Sequence, residues 1–314
     1  MKRGPANLWM GLALLLVGVA VIGWGLSLRN QPSTILASPI ADDGAADIAT
    51  TAPPSDSENS LEAGDEPDFD AITDAAVKDP DAREVPQMAQ LEVLESFVHD
   101  PAAFTQGLEL VEERLFESTG LFGESTLREV DLASGAVLRS IDLDSELFAE
   151  GLTVVDNEII QLTWRSGEAF RYDLDTFDLV DTYFYEGEGW GLCHDGTSLW
   201  MSNGSDQLTR RDSSTFEALG SVTVTLSGAP VDQLNELECV DGNVWANVWQ
   251  TPLILEIDPI SGTVLTVLDA SALRPDSVAG DSNAVLNGIA FDPSTETFLV
   301  GGKLWPTLFR VEIN

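Results

Sequence analysis

Basic residues are scarce in this chain. Fifteen Lys and Arg stand against 53 Asp and Glu, for a formal net charge of −38. Such a field repels nucleic acid and anionic membrane surfaces, and it excludes functions that need a basic face. It favours cationic peptides or a salty environment without deciding between them. Cysteine is nearly absent, with only Cys193 and Cys239. The two can pair after export or stay as buried thiols. Large apolar residues are few between residues 30 and 90, where fourteen acids face only Lys78 and Arg83. That segment cannot bury enough surface to offset its ordering entropy, so a disordered, self-repelling tether is expected. Its coil dimension would be roughly 45 Å.

The amino terminus does hold one long apolar run. Residues 8–28 carry no charge and are rich in Leu, Val, Gly and Trp. That is roughly the 20 residues a helix needs to cross a bilayer. Lys2 and Arg3 precede the run and only Arg29 follows it directly, which keeps residues 1–7 cytoplasmic and exports the rest. The competing reading is a cleaved signal peptide, cut near Leu36-Ala37, which would release a secreted protein. The run is long for a signal core, and no A-x-A pattern directly follows it. No cysteine follows it either, which argues against lipoprotein attachment. The expected division is 1–7 cytoplasmic, 8–28 transmembrane, 29–90 acidic linker and 91–314 folded domain, the last periplasmic or extracellular.

The folded part is organised around a repeat. Its copies are Thr105-Gln106-Gly107-Leu108, Ala149-Glu150-Gly151-Leu152, Gly189-Trp190-Gly191-Leu192, Leu234-Asn235-Glu236-Leu237 and Leu286-Asn287-Gly288-Ile289. From third residue to third residue the steps are 44, 40, 45 and 52. All-β units at that period point to a propeller. Each repeat divides into four strands, at 151–155, 158–164, 169–172 and 179–183 in the second. Asp131, Asp173, Asp212 and Asp258 open the turns before the fourth strands, where an Asp can bond its own backbone two residues on. The fifth repeat runs to Asn314 without a fourth strand, and residues 91–97 have strand character. The expected fold is all-β: a five-bladed β-propeller whose last blade is closed by the domain's N-terminal strand.

The position before each third residue reads Gln106, Glu150, Trp190, Asn235, Asn287. In a radial repeat these form a ring, here polar with one carboxylate. The third residue and the end of the second strand are 13 apart in four repeats: Gly107/Gly120, Gly151/Trp164, Gly191/Gly204 and Glu236/Trp249. In the fifth, Gly288/Trp305, the gap of 17 is attributed to a longer turn at 292–296. Antiparallel strands begin where their partners end, so Trp164, Trp249, Lys303 and Trp305 should share the ring's rim. Trp in a propeller usually packs between blades, and Asn and Gln often satisfy loop backbone. Several aromatics with one carboxylate and one lysine nevertheless make a site for a small molecule or a peptide terminus.

Several stretches resemble a known family. They include 99–108 (His99-Asp100-Pro101 through Gln106-Gly107-Leu108), 117–123, 148–153, Gln161-Leu162-Thr163-Trp164 and 187–192. Later ones are 234–238, Ala246-Asn247-Val248-Trp249, 286–289 and Gly302-Lys303-Leu304-Trp305-Pro306. Together they resemble the plant and bacterial type of glutaminyl-peptide cyclotransferase, in order, over residues 91–314. Cys193 and Asn203 stand where Thr and Asp are expected. The resemblance implies a five-bladed propeller that turns an amino-terminal Gln into pyroglutamate and releases ammonia. It places the catalytic acid/base on Glu150, with Asn235 and Lys303 assisting. It makes Phe104, Phe148, Trp164, Trp190 and Trp249 a pocket wall, with Gln106, Asn287 and Trp305 also toward substrate. It implies peptides or proteins with amino-terminal Gln as partners, a monomer, and no metal or cofactor for catalysis. It leaves room for a structural calcium ion in the channel.

Two other classes fit the bare pattern. A calcium-dependent propeller hydrolase would use Glu150, Asn235 and Asn287 as oxygen ligands. A non-catalytic peptide-binding propeller would keep the Trp pocket without needing the acid. The anchor reading has a direct check. The full-length protein is expected to sediment with membranes and to resist high-salt extraction, because a helix and not charge holds it. Recovery as a soluble, shortened product would identify a cleaved signal instead.

Overall fold

The structure is a computed structural model, and it describes residues 85–314. The anchor assigned to 8–28 and all but the end of the linker lie outside the described residues. Among the described residues no helix is long and apolar enough to cross a membrane.

The chain enters through β1 (Gln87–Ala89) and β2 (Leu91–Val98). Four strands follow as β3 (Thr105–Val111), β4 (Arg114–Thr119), β5 (Thr126–Val130) and β6 (Val137–Asp142). The next four are β7 (Ala149–Val155), β8 (Glu158–Thr163), β9 (Glu168–Asp173) and β10 (Leu179–Phe184). Then come β11 (Leu192–His194), β12 (Ser198–Ser202), β13 (Gln207–Asp212) and β14 (Ala218–Thr223). A small hairpin, β15 (Thr225–Leu226) and β16 (Ala229–Pro230), precedes β17 (Leu234–Val240), β18 (Asn243–Val248), β19 (Leu253–Asp258) and β20 (Thr263–Asp269). The last strands are β21 (Leu286–Asp292), β22 (Thr297–Gly302) and β23 (Thr307–Ile313).

The fold is all-β and propeller-like. Four sheets have four strands each: β3–β6, β7–β10, β11–β14, and β21–β23 completed by β2. The remaining sheet, built on β17–β20, has seven. The expectation of equal four-stranded units is therefore corrected at the fourth repeat. There β15 pairs in parallel with β20 at Thr225 and Thr263, and β1 pairs in parallel with β20 from Gln87 to Ala89. The folded domain thus begins before residue 91, inside the stretch assigned to the linker. The first strands of the sheets adjoin in a closed cycle, β3 to β7 to β11 to β17 to β21 and back to β3.

Sequence pattern explains which strands are inside. β8, Glu-Ile-Ile-Gln-Leu-Thr, is buried over its last five residues, whereas β6, Val-Leu-Arg-Ser-Ile-Asp, is half-buried or exposed throughout. The core lies between neighbouring sheets rather than in one mass. Phe116 and Leu127 meet Ile159 and Tyr172, for example, and Trp245 and Leu268 meet Phe298 and Val300. The Asp turns are local devices as expected. Asp173 Oδ1 accepts from the backbone N–H of Asp175 and Thr176, at 3.0 and 2.9 Å. Cys193 on β11 and Cys239 on β17 form a disulfide that joins two neighbouring sheets.

Closure follows the expected route. β2 lies antiparallel to β23, from Leu91 opposite Ile313 to Val98 opposite Thr307. A chain starting at Asp100 would leave β23 as an open edge and also lose β1. Its Tm is expected to fall by at least about 6 °C relative to a chain starting at Val85, or about 2 kcal/mol for a domain of this size. Equal melting temperatures would show that closure by β2 contributes nothing.

Candidate active site

The site is made by bulges. β3, β7, β17 and β21 each shift register within their core motif, between Thr105 and Gly107, Ala149 and Leu152, Leu234 and Leu237, and Leu286 and Ile289. A bulge takes a residue out of the ladder and re-aims its side chain. Gln106, Glu150 and Asn235 are bulge residues, and all three line one cavity of about 230 Å³. Lys303, just past the end of β22, lines it too.

The cavity wall is aromatic. Phe148 packs 5.6 Å from Trp164 and 6.2 Å from Phe104, ring centre to ring centre. Trp190 meets Trp249 edge-on at 5.6 Å. Trp164 and Trp249 directly follow the second strands of two repeats, and the equivalent positions of two others are Gly120 and Gly204. The reason is space. A Cβ on Gly120 would strike the Phe148 ring, and one on Gly204 would strike Trp190. Each glycine makes room for an aromatic ring of the cavity wall.

Charge in the cavity is sparsely compensated. Burial pushes the Glu150 carboxyl well above the usual carboxylate range; Lys303 opposes this and Glu188 adds to it. No hydrogen bond to Glu150 enters that balance. Burial lowers the Lys303 amine to about 8, with Glu150 opposing. Its Nζ stands 4.8 Å from the centre of the Phe104 ring, a cation–π contact. Asn235 is buried, and its Oδ1 has no partner among the described residues. Glu188, a second carboxylate close enough to act on Glu150, is differently placed. It accepts from Trp164 Nε1 at 2.8 Å, Trp190 Nε1 at 3.0 Å and Arg165 Nε at 2.8 Å. Burial raises its carboxyl, but the bonds from Trp190, Arg165 and Trp164 outweigh it and hold the group ionised. Glu188 therefore orients two wall indoles.

Two expected site residues are not in the cavity. Asn287 is fully buried behind it and donates to the Thr105 carbonyl at 3.0 Å and to Gln106 Oε1 at 3.4 Å. Of Glu150, Asn235 and Asn287, the oxygen set of the calcium reading, only the first two line the cavity. Among the described residues no group of three or more His, Cys, Asp or Glu is placed to hold a metal ion. Trp305 faces away, with Nε1 donating to the Ala284 carbonyl at 3.2 Å. The error was one of register. The turn between β21 and β22 is two residues longer than that between β7 and β8. That places Lys303, not Trp305, opposite Trp164 and Trp249. The backbone agrees: the amides of Trp164, Trp249 and Lys303 bond the carbonyls of Phe148, Gln233 and Val285.

Gln250, Ser282, Asn283 and Val285 also line the cavity and were missed. The last three belong to the segment before β21 that stretches the final repeat step to 52 residues. That excess length was the available signal. Gln250 directly follows Trp249 and sits in the left-handed region at φ 62°.

Comparison with known proteins places these features in a family. A sequence profile described as glutamine cyclotransferase matches residues 70–313. A glutaminyl-peptide cyclotransferase of Arabidopsis thaliana is 39% identical over 229 residues, 72% of each chain. The crystal structure of Myxococcus xanthus glutaminyl cyclase superposes with a TM-score of 0.69 at 40% identity, covering 73% of this chain and 98% of that one.

The buried carboxyl has a measurable consequence for stability. A group whose folded-state pKa is raised favours the fold below its unfolded pKa, and that contribution is lost as pH rises through the folded value. Glu150→Gln removes the loss. Denaturation between about pH 5 and 8 is expected to show the difference moving in favour of the variant as pH rises. A difference constant with pH would contradict the burial of an ionisable group at this position.

Proposed function

The chain belongs to the glutamine cyclotransferase family, and from that premise we propose that Glu150 is the acid/base of its reaction. The enzyme is a glutaminyl-peptide cyclotransferase: it converts the amino-terminal Gln of peptides or proteins to pyroglutamate and releases ammonia. The observation that carries the proposal is a buried carboxyl whose burial no hydrogen bond offsets among the described residues, facing a cavity beside one amine.

The chemistry needs such a group. The substrate α-amine must shed a proton to attack its own γ-amide carbon. The bond from that carbon to the amide nitrogen then breaks, and the nitrogen must gain a proton to leave as ammonia. One carboxylate between the two nitrogens serves both transfers, and a carboxyl raised toward neutral pH is matched to them. The substrate's α-ammonium supplies the positive charge that favours ionised Glu150 on binding. The unpartnered Asn235 Oδ1 is a second acceptor for that group. Lys303 is the donor for the oxyanion formed when the amine attacks. Five-membered ring closure is intramolecular, so the aromatic wall assists by holding the Gln side chain folded and excluding water. Each step is a proton transfer or acyl transfer, and the proposal assigns none to a cofactor.

Two structural readings accompany this one. We take the seven-stranded sheet as a fifth blade, supported by the closed cycle of first strands and by apolar clusters between each pair of neighbouring sheets. We take the domain to work outside the cytoplasm, which the Cys193–Cys239 disulfide supports.

Ammonia release from a Gln-leading dipeptide amide tests the assignment. Glu150→Gln is expected to lower kcat by about 10² to 10⁴ with the fold retained. Glu188→Gln should act mainly through KM, because it loosens Trp164 and Trp190. Near-normal turnover by Glu150→Gln, with loss of turnover in Glu188→Gln, would transfer the proton-carrying role to Glu188.

A further inference from the structure

The reaction as described uses no histidine, and the chain contains only two, His99 and His194. His99 is buried outside the cavity wall, between the segment leading into β3 and the turn after β22. Its Nδ1 lies 2.7 Å from the Trp305 carbonyl oxygen, and its Nε2 lies 3.0 Å from Glu117 Oε1. A carbonyl oxygen only accepts, so Nδ1 carries a hydrogen. Glu117 Oε1 also accepts from Thr105 Oγ1 at 2.7 Å, and Oε2 accepts from Arg128 Nε at 2.8 Å. A carboxyl so surrounded by donors is ionised, so Nε2 carries a hydrogen too. A ring with two N–H groups is an imidazolium.

The surrounding charges agree. Glu117 faces the ring from β4 and Arg128 lies behind it on β5; Asp100, on the ring's own segment, is bonded to Arg128 Nη1 at 3.0 Å. The turn after β22 presents the Trp305 carbonyl, while its Lys303 amine lines the cavity. Burial raises the Glu117 carboxyl, but His99, Arg128 and Thr105 bring it down to about 2. Burial lowers His99, yet Glu117 and the Trp305 carbonyl lift it above the usual imidazole value against the opposition of Arg128.

This ring ties two parts of the active site together. Trp305 closes the turn that carries Lys303, its amide bonding the Gly302 carbonyl at 3.1 Å. That turn is held from the His99 side three times. The ring grips the Trp305 carbonyl, the His99 amide donates to the Pro306 carbonyl at 3.0 Å, and the Leu304 amide donates to the Ala103 carbonyl at 2.6 Å. Through Glu117, the same ring fixes Thr105, whose neighbours Phe104 and Gln106 line the cavity. We propose that His99 is an imidazolium at neutral pH and is the positioning residue that holds Lys303 against the substrate. The second half rests on the cyclotransferase reading; the charge state does not.

Two histidines make the test direct. Full-length protein labelled with 15N-histidine is followed by long-range 1H–15N spectra, and His194→Gln assigns the two rings. Near pH 7 the His99 ring is expected to show two protonated nitrogens, with a midpoint above the ordinary value of about 6.5. A bare ring nitrogen on His99 near pH 7 overturns the proposal. For the positioning role, His99→Gln is expected to lower kcat about ten-fold with KM within about two-fold. It should also flatten the part of the kcat–pH profile that follows the His99 midpoint in the unsubstituted enzyme. Unchanged kcat and profile shape overturn that role, as does a kcat–pH profile of the unsubstituted enzyme with no inflection at the His99 midpoint. The latter reading holds even where His99→Gln fails to fold. Absence of ammonia release by the unsubstituted enzyme would refute the cyclotransferase reading while leaving the ring-nitrogen result standing.

Discussion

Convergence of the first strands on one axis is the constraint on which the rest of the structure depends. At Gly107, Gly151 and Gly191 the backbones approach so closely that a side chain has no room. A Cβ on Gly107 would lie 2.7 Å from the Leu152 nitrogen, and one on Gly151 would lie 2.7 Å from the Gly191 Cα. The bulges at these positions break the ladder, and the freed amides must find partners across the axis. Gly151 N–H bonds the Trp190 carbonyl at 2.7 Å. Glu236, where other repeats have glycine, receives the Leu108 and Ile289 amides on its two oxygens, at 3.2 and 2.8 Å. The same local break that satisfies the centre turns Gln106, Glu150 and Asn235 toward the cavity. Closing the ring and building the site are one event in the backbone.

Buried charge is handled in two opposite ways within a short distance. Around Glu117, carboxylate, imidazolium, guanidinium and hydroxyl satisfy one another, and the carboxyl is driven down to about 2. Removing one member of such a set leaves an uncompensated buried charge, which is costly. At Glu150 and Lys303 burial is similar, but among the described residues no hydrogen bond to the carboxyl offsets it, and both groups shift toward their neutral forms. The first set is rigid scaffold. The second is destabilised, and on the proposed mechanism a substrate with an ammonium group relieves it. The rigid set adjoins the loose one through Thr105 and through the Trp305 carbonyl, so the scaffold charge bears directly on the turn that carries Lys303.

The aromatic wall depends on partners that no repeat pattern shows. Trp164 and Trp190 come from neighbouring repeats, yet Glu188 accepts from both indoles and Arg165 anchors the carboxylate in turn. Cys193 and Cys239 hold together the strands next to Trp190 and Asn235. The wall is fixed from behind by charge and by a covalent link, and its cavity face remains apolar.

The sequence by itself determined what is local or periodic. Apolar runs and Asp turns mark the strands, because strand burial and turn bonding act over a few residues. The 40 to 52 residue period makes Gln106, Glu150, Trp190 and Asn235 equivalent, and all four do line the cavity. Strand character at the start of the domain was enough to identify the closing strand, since the fifth repeat lacked a fourth strand of its own. Only the tertiary structure decided the rest. Lys303 rather than Trp305 takes the fifth position, because two extra turn residues between β21 and β22 reset the register. Asn287 serves Thr105 and Gln106 because the last first strand packs against the first one, far away in the chain. Ser282, Asn283 and Val285 reach the cavity from a segment outside the repeat. Glu188 and His99 look like ordinary polar residues in the chain. Their roles come from bonds to groups that only folding brings within 3 Å.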